Sequence, residues 1–364
     1  MRRRAEADLP RARLGFLGVG WIGRNRLEAL ARSATVEVIG VVDPVRENAR
    51  AAGDLASCAV FDSLDQLLDA GPDGVVIATP SALHAEQAIA ALEHGVAVFC
   101  QKPLARTARE TASVVEAARS ADRLLGLDLS YRFVEGARLI RELVQAGGLG
   151  RLYAMDLVFH NAYGPDQPWF YDPALSGGGC VIDLGIHLVD LALWALDYEP
   201  VIGVSSRLFA GGKPLGDRTG AVEDYALAQL EVESGAVVRL ACSWNLPVGR
   251  DAVIEATFFG SEGGAALRNV NGSFYDFTAE RFRGTSREKL CVPPDQWGGR
   301  AALDWARRVA LGAGFDPLAR RFVTLASVLD AIYGRAQPQP QPRNRTSRSC
   351  GADALAPADL AAGS

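Results

Sequence analysis

The stretch Leu14-Gly15-Phe16-Leu17-Gly18-Val19-Gly20-Trp21-Ile22-Gly23 decides the fold of the first part of the chain. Leu14–Val19 is a short apolar run that breaks at Gly18 and Gly20. Asn25–Arg32 then carries Leu27, Leu30 and Ala31 at helical spacing. A strand that runs into glycines and on into a helix is the local plan of a phosphate-binding loop. In that plan Gly18 permits the tight turn, Gly20 lets a ligand approach the backbone, and Gly23 lets helix and strand pack closely. Trp21 and Ile22 occupy the variable positions of this G-x-G-x-x-G.

Working outward, Val36–Val42 is a β-branched run that ends at Asp43, twenty residues beyond Gly23. A carboxylate there accepts hydrogen bonds from adenosine ribose hydroxyls and repels a 2′-phosphate. The loop is therefore read as a dinucleotide site with NAD favoured, while Arg46 nearby leaves NADP open. Gly74–Ala78, Val96–Cys100 and Leu124–Leu129 are further apolar runs, separated by the helical stretches His84–Glu93 and Thr107–Ser120. Strands without a polar face are covered on both sides, so a doubly wound parallel sheet of the Rossmann kind is predicted over 13–130.

Beyond Tyr131 the rhythm changes. Leu139–Gln145 reads as a short helix, Leu152–Phe159 as a strand and Val181–Leu196 as a long apolar helix. The strands Val204–Leu208, Tyr225–Val232, Ala236–Trp244, Val253–Phe259, Ala265–Arg268 and Tyr275–Phe282 then follow without helices between them, as in an antiparallel meander. With closing helices at Ala301–Leu311 and Leu318–Tyr333, residues 131–336 are predicted to form an α+β domain on one large, mostly antiparallel open sheet. Residues 1–12 and the proline-bearing 337–364 read as disordered tails.

The 364 residues carry a net charge of −5, which argues against a nucleic-acid partner. Six scattered cysteines form no C-x-x-C pair, and the four histidines lack ligand spacing, so neither a disulfide framework nor a metal is expected. No charge-free apolar run of about 18 residues is present, so no membrane span is expected. A cytoplasmic enzyme of small molecules fits this composition.

Three further segments add to the glycine loop: Ile77-Ala78-Thr79-Pro80-Ser81 with His84, Gln101-Lys102-Pro103-Leu104, and Gly177-Gly178-Gly179 with Asp183, Gly185, His187 and Asp190. Together, from Leu14 to Tyr333, they resemble the Gfo/Idh/MocA family (glucose–fructose oxidoreductase, inositol dehydrogenase, rhizopine catabolism). The resemblance implies an NAD(P)-dependent oxidoreductase of sugars, sugar derivatives or cyclitols. It puts Thr79 and Pro80 beside the nicotinamide half of the cofactor, Lys102 at the reacting centre, and Asp183 and His187 toward the substrate. Gln101 stands where the family usually has Glu; the amide keeps its hydrogen-bonding capacity but loses the charge beside Lys102.

The residues support that chemistry on their own terms. Oxidation of a CH–OH group needs a hydride acceptor and a base, and His187 titrates in the useful range. Asp183 and His187, four residues apart in a helical pattern, share a face. Lys102 follows a parallel strand, where ligands bind in such sheets. Tyr131 and Arg132, at the domain junction, are expected to face the substrate. His84 reads either as a cofactor neighbour or as a local cap, and His94 as a helix-end cap. His160 lies near the expected pocket. Trp169, Phe170 and Tyr171 read either as pocket wall or as core and dimer-contact aromatics. Two other functions use the same residues: an NAD(P)-sensing regulator without turnover, and a lyase or glycosidase that oxidises its substrate transiently. The open sheet is the expected face for a homodimer or homotetramer.

Overall fold

The computed structural model describes residues 10–216 and 220–335. Most of the two expected tails lies outside these residues. Ala12, assigned to the first tail, already opens a strand.

The first sheet follows the alternation β1 (Ala12–Leu17), α1 (Trp21–Ala31), β2 (Val36–Val42), α2 (Arg46–Ala56), β3 (Ala59–Val60), α3 (Leu64–Asp69), β4 (Gly74–Ile77), α4 (Ser81–Glu93), β5 (Ala97–Cys100), α5 (Ala108–Ala121), β6 (Leu125–Leu127). Its six strands run β3-β2-β1-β4-β5-β6, all parallel. Every residue of β4 and β5 is buried, as strands covered by helices on both faces require. The strand order reverses between β1 and β4, and ligands of such sheets bind in the crevice outside the strand C-termini at that point. The segment α2–β3–α3 gave no signal in the sequence, because α2 is largely polar and β3 has only two residues.

The second part comprises α6 (Glu135–Gln145), β7 (Leu152–Asn161), a π-helical turn (Val181–Gly185) and α7 (Ile186–Ala195). After them come β8 (Val201–Ala210), β9 (Lys213–Pro214), β10 (Tyr225–Val232), β11 (Val237–Ser243), β12 (Ala252–Gly260), β13 (Gly263–Asn269), β14 (Phe277–Arg283) and β15 (Ser286–Cys291). The nine strands run β15-β14-β13-β12-β7-β11-β10-β8-β9. The expected meander is therefore interrupted: β7 sits at the centre and pairs in parallel with β11, while the other pairings are antiparallel. Parallel neighbours need a long crossover, and the segment from the end of β7 through α7 begins that connection. One face of the sheet is covered by helices. The other keeps the alternation of a half-solvated sheet, with Tyr153 and Leu227 about half exposed. The apolar segment Pro173–Ala195 is long enough to cross a membrane, but 89% of its apolar 18-residue window is buried inside the protein, as in a core helix.

Two closing helices follow, α8 (Arg300–Ala310) and α9 (Arg320–Ile332). Helix α8, expected in the second domain, returns to the first sheet. Its Trp305 is 3% exposed and packs 5.5 Å from the Phe99 ring. A β-carbon at Gly74 or Gly126 would lie 2.6 or 2.8 Å from that indole, so these strand glycines make room for it. Helix α9 joins the two parts from the other side: its Asp330 accepts the Ala108 N–H at the start of α5 at 2.8 Å. Trp305→Ala is expected to cost about 3–5 kcal/mol in denaturant unfolding; a loss below about 1 kcal/mol would mean that α8 is not part of the first domain's core.

Candidate functional site

The glycine loop is shaped by its own close contacts. Gly18 has φ +84°, and a β-carbon there would meet Ala78 O at 2.6 Å. At Gly23 a β-carbon would lie 2.1 Å from Gly18 O, so the first turn of α1 can rest on the loop only without one. Gly20 caps α1 with no side-chain hydrogen bond, and nothing stands within 4 Å of its β-carbon position. The helix N-terminus thus points free N–H groups and its positive dipole end into open space, which fits a pyrophosphate. Asp43 ties the loop to β2: its Oδ2 accepts from Val19 N at 2.8 Å and its Oδ1 from Val45 N at 2.9 Å. Each oxygen keeps a lone pair for a ribose hydroxyl. Trp21 is 74% exposed at the loop's edge.

Two more loops leave the C-terminal ends of β4 and β5. The Thr79 hydroxyl donates to Gln87 Oε1 at 2.6 Å. His84 is buried, with Nδ1 2.7 Å from Pro103 O and Nε2 2.7 Å from Thr79 O. The ring thus lies between the Thr79 loop and the Lys102–Pro103 loop, and the neutral imidazole donates to one of these two carbonyls. Burial lowers its pKa, against the two backbone bonds. His94 bonds Ala90 O at 2.8 Å, as a helix-end cap does. Gln101, expected at the cofactor, is buried and gives its amide N–H to Asp128 Oδ2 at 2.5 Å.

Lys102 crosses to the second part of the chain. Its Nζ donates to Asp183 Oδ1 at 2.6 Å and to Asp183 O at 2.8 Å. The other carboxylate oxygen, Oδ2, accepts from Trp244 Nε1 at 3.1 Å. Asp183 lies in the π-helical turn, a distortion frequent at functional sites, and His187 follows in the first turn of α7.

The glycines before that turn are needed for close approach. A β-carbon at Gly179 would lie 1.9 Å from Glu223 O, and one at Gly178 would lie 2.1 Å from Tyr333 Oη. Glu223 accepts from Gly179 N at 3.0 Å, Val181 N at 2.9 Å and Tyr333 Oη at 2.7 Å. Burial raises its pKa, against these donors. A single buried carboxylate therefore holds the start of the turn that carries Asp183.

His187 is 7% exposed, and its Nδ1 is buried without a protein partner among the described residues. Burial, then the charges of Lys102 and Arg26, hold its pKa well below the usual value, so the imidazole is neutral at neutral pH. The Tyr131 ring packs 4.7 Å from it and 5.1 Å from Trp297. Burial raises the Tyr131 pKa and keeps the phenol protonated.

Arg132, expected to face the substrate, is committed elsewhere. Its Nε donates to Asp190 Oδ2 at 2.8 Å, and its Nη2 donates to Asp190 Oδ1 and Tyr198 Oη. It anchors the domain junction to α7. Trp169 stacks on Phe170, and both Phe170 and Tyr171 pack edge-on to Trp244, which bonds Asp183; these aromatics extend from the site outward. His160 bonds Ser243 Oγ at 2.8 Å and stacks on Tyr225. Sequence reasoning missed Trp244, Glu223 and Asp128. Each sits at the end of a strand or just beside one, outside any motif, and is identified only by its partner.

The two-sheet architecture agrees with comparisons to known proteins. Residues 12–129 match the oxidoreductase family with an NAD-binding Rossmann fold, and residues 137–266 match the GFO/IDH/MocA C-terminal domain. D-glucoside 3-dehydrogenase of Escherichia coli (strain K12) is 30% identical over 244 residues, which span 64% of this chain and 70% of that protein. Inositol 2-dehydrogenase 3 of Saccharopolyspora erythraea is 31% identical over 246 residues, 67% of this chain and 70% of that one. Among solved structures, levoglucosan dehydrogenase in complex with NADH and L-sorbose shares the fold, with a TM-score of 0.77 at 22% identity, covering 90% of this chain and 97% of that one. With both halves matched in order, the chain belongs to the Gfo/Idh/MocA family of NAD-binding oxidoreductases.

Proposed function

We propose that the protein is an NAD-dependent dehydrogenase that works on a hydroxyl-bearing carbon of an uncharged sugar, sugar derivative or cyclitol. The observation that carries this reading is the Lys102 ammonium fixed by Asp183 beside a neutral His187, past the C-terminal end of β5. The names of the relatives support the substrate class: one is a glucoside 3-dehydrogenase and another an inositol 2-dehydrogenase.

When bound, the nicotinamide supplies the carbon that gives or takes the hydride. The N–H groups at Gly20 and the start of α1 would hold the pyrophosphate, Asp43 the adenosine ribose, and the Thr79–Pro80 loop the nicotinamide half. Lys102 has three N–H donors, of which Asp183 uses two. The third is left for the substrate oxygen, where the ammonium charge favours a developing alkoxide. His187, neutral and within one helical turn of Asp183, accepts the hydroxyl proton. Lys102 is paired with Asp183 and Arg132 with Asp190, so each of these charges is matched by one acid. A cytoplasmic setting is supported by the free thiols at Cys58, Cys100, Cys180, Cys242 and Cys291.

A panel of sugars, cyclitols and their phosphates, read by NADH absorbance with NAD and NADP in parallel, tests the reading. Turnover is expected with an unphosphorylated polyol and NAD; turnover confined to phosphate esters would overturn the substrate class. His187→Ala and Lys102→Ala are each expected to lower kcat by about 10²–10⁴-fold while NADH affinity changes little. Full turnover in either variant removes that residue from the chemistry.

The pH dependence has a definite sign. The base form of His187 is needed for oxidation, and its pKa lies below the ordinary 6.5. The oxidation rate should therefore fall on the acid side only as pH drops below 6.5. An acid limb above pH 7 that disappears in His187→Ala would contradict the assignment. Self-association is assigned to the open face of the second sheet, where Tyr153 and Leu227 stand half exposed. Light scattering should report a dimer or tetramer, with Leu227→Lys shifting it toward the monomer; a monomeric wild type would rule this out.

A further inference from the structure

Behind Lys102 lies a buried polar group that the reaction scheme does not use. Asp128 follows β6 with its side chain fully buried. Its Oδ2 accepts from Arg26 Nε of α1 at 2.6 Å and from Gln101 Nε2 at 2.5 Å. Its Oδ1 has no partner among the described residues. Arg26 is itself buried and reaches Asn25 Oδ1 at 2.8 Å. Three elements of the nucleotide-binding domain thus meet on one carboxylate oxygen: the helix of the glycine loop, the end of β5 that carries Lys102, and the end of β6.

Position 101 is decided by this geometry. A carboxylate there would face Asp128 at hydrogen-bond distance with one guanidinium between them. Two buried carboxylates that close cannot both ionise. The amide avoids this by donating a hydrogen. We propose that Asp128 carries the negative charge behind the reacting lysine in this protein, and that Arg26 and Gln101 are positioning residues which hold it and thereby set the turn bearing Lys102. The carboxylate stands at the end of β6 and the amide at the end of β5. This inference rests on the proposed role of Lys102.

Exchanging the acid and the amide by mutation tests this arrangement in the full-length protein. Gln101→Glu, Asp128→Asn and the double variant are compared by NADH turnover and, separately, by NADH affinity from tryptophan fluorescence. Each single variant is expected to lose about a hundredfold in kcat, the scale on which a small misplacement of a reacting group acts. The double variant restores one carboxylate, one amide and the Arg26 partner, and should return to within about tenfold of wild type.

A pH signature separates this from simple loss of packing. In Gln101→Glu the two carboxylates share a proton more readily as pH falls, so that variant should regain activity between about pH 8 and pH 6 relative to wild type. The charged and titratable groups around the pair are Arg26, Lys102 and the Cys100 thiol, whose pKa is raised well above normal by burial and then by Asp128. A double variant no better than the poorer single variant would overturn the proposal, as would full activity and affinity in Asp128→Asn. If the wild type shows no turnover with any polyol, the functional reading fails; the same rescue pattern in NADH affinity then decides the role of Asp128 by itself.

Discussion

The Lys102–Asp183 contact is the constraint around which the molecule is arranged. It joins a loop at the end of β5 to a π-helical turn some eighty residues later, so it exists only if both sheets are built and docked. A lysine on a flexible stem loses rotamer freedom when fixed, and a partly buried ammonium needs a partner. Asp183 meets both demands by binding Nζ through its backbone carbonyl as well as its side chain. The wider π turn sits where that carbonyl receives a second donor. Trp244, from just past β11, fixes the remaining carboxylate oxygen, so the acid cannot swing away from the lysine.

Holding that turn requires support from the rest of the second domain. Glu223, just before β10, gathers the N–H groups ahead of the turn, and Tyr333, just beyond α9, donates to the same carboxylate. The triple glycine is thus explained by packing: the backbone must come within contact of Glu223 and Tyr333, and a β-carbon would occupy their space. Because α9 also caps α5 through Asp330, the helix that positions the substrate-facing turn also docks the nucleotide-binding domain. Site geometry and domain docking are one problem in this fold.

What the sequence disclosed and what it hid divide along range. The glycine loop, Asp43 and the apolar strands are local patterns, and the structure places Val36–Val42 and Tyr225–Val232 with the predicted bounds. The parallel β7–β11 pairing, the return of α8 to the first sheet and the acids Glu223 and Asp128 depend on contacts between distant segments, and no local period encodes them. Arg132 and His84 show the same limit: residue type and position suggest a ligand, while their contacts to Asp190, Tyr198, Thr79 and Pro103 are visible only in the fold.

Charge accounting connects these corrections to chemistry. Three basic side chains around the site are each matched by one acid: Lys102 by Asp183, Arg132 by Asp190 and Arg26 by Asp128. Leaving any member unpaired in such surroundings would be costly, so the pairs must form together with the fold. His187, walled by Tyr131, is kept neutral first by burial and then by the charges of Lys102 and Arg26. The cleft thus offers a neutral base, one ammonium donor to spare and aromatic sides, and the pairing that stabilises the junction between the two sheets also shapes the cleft.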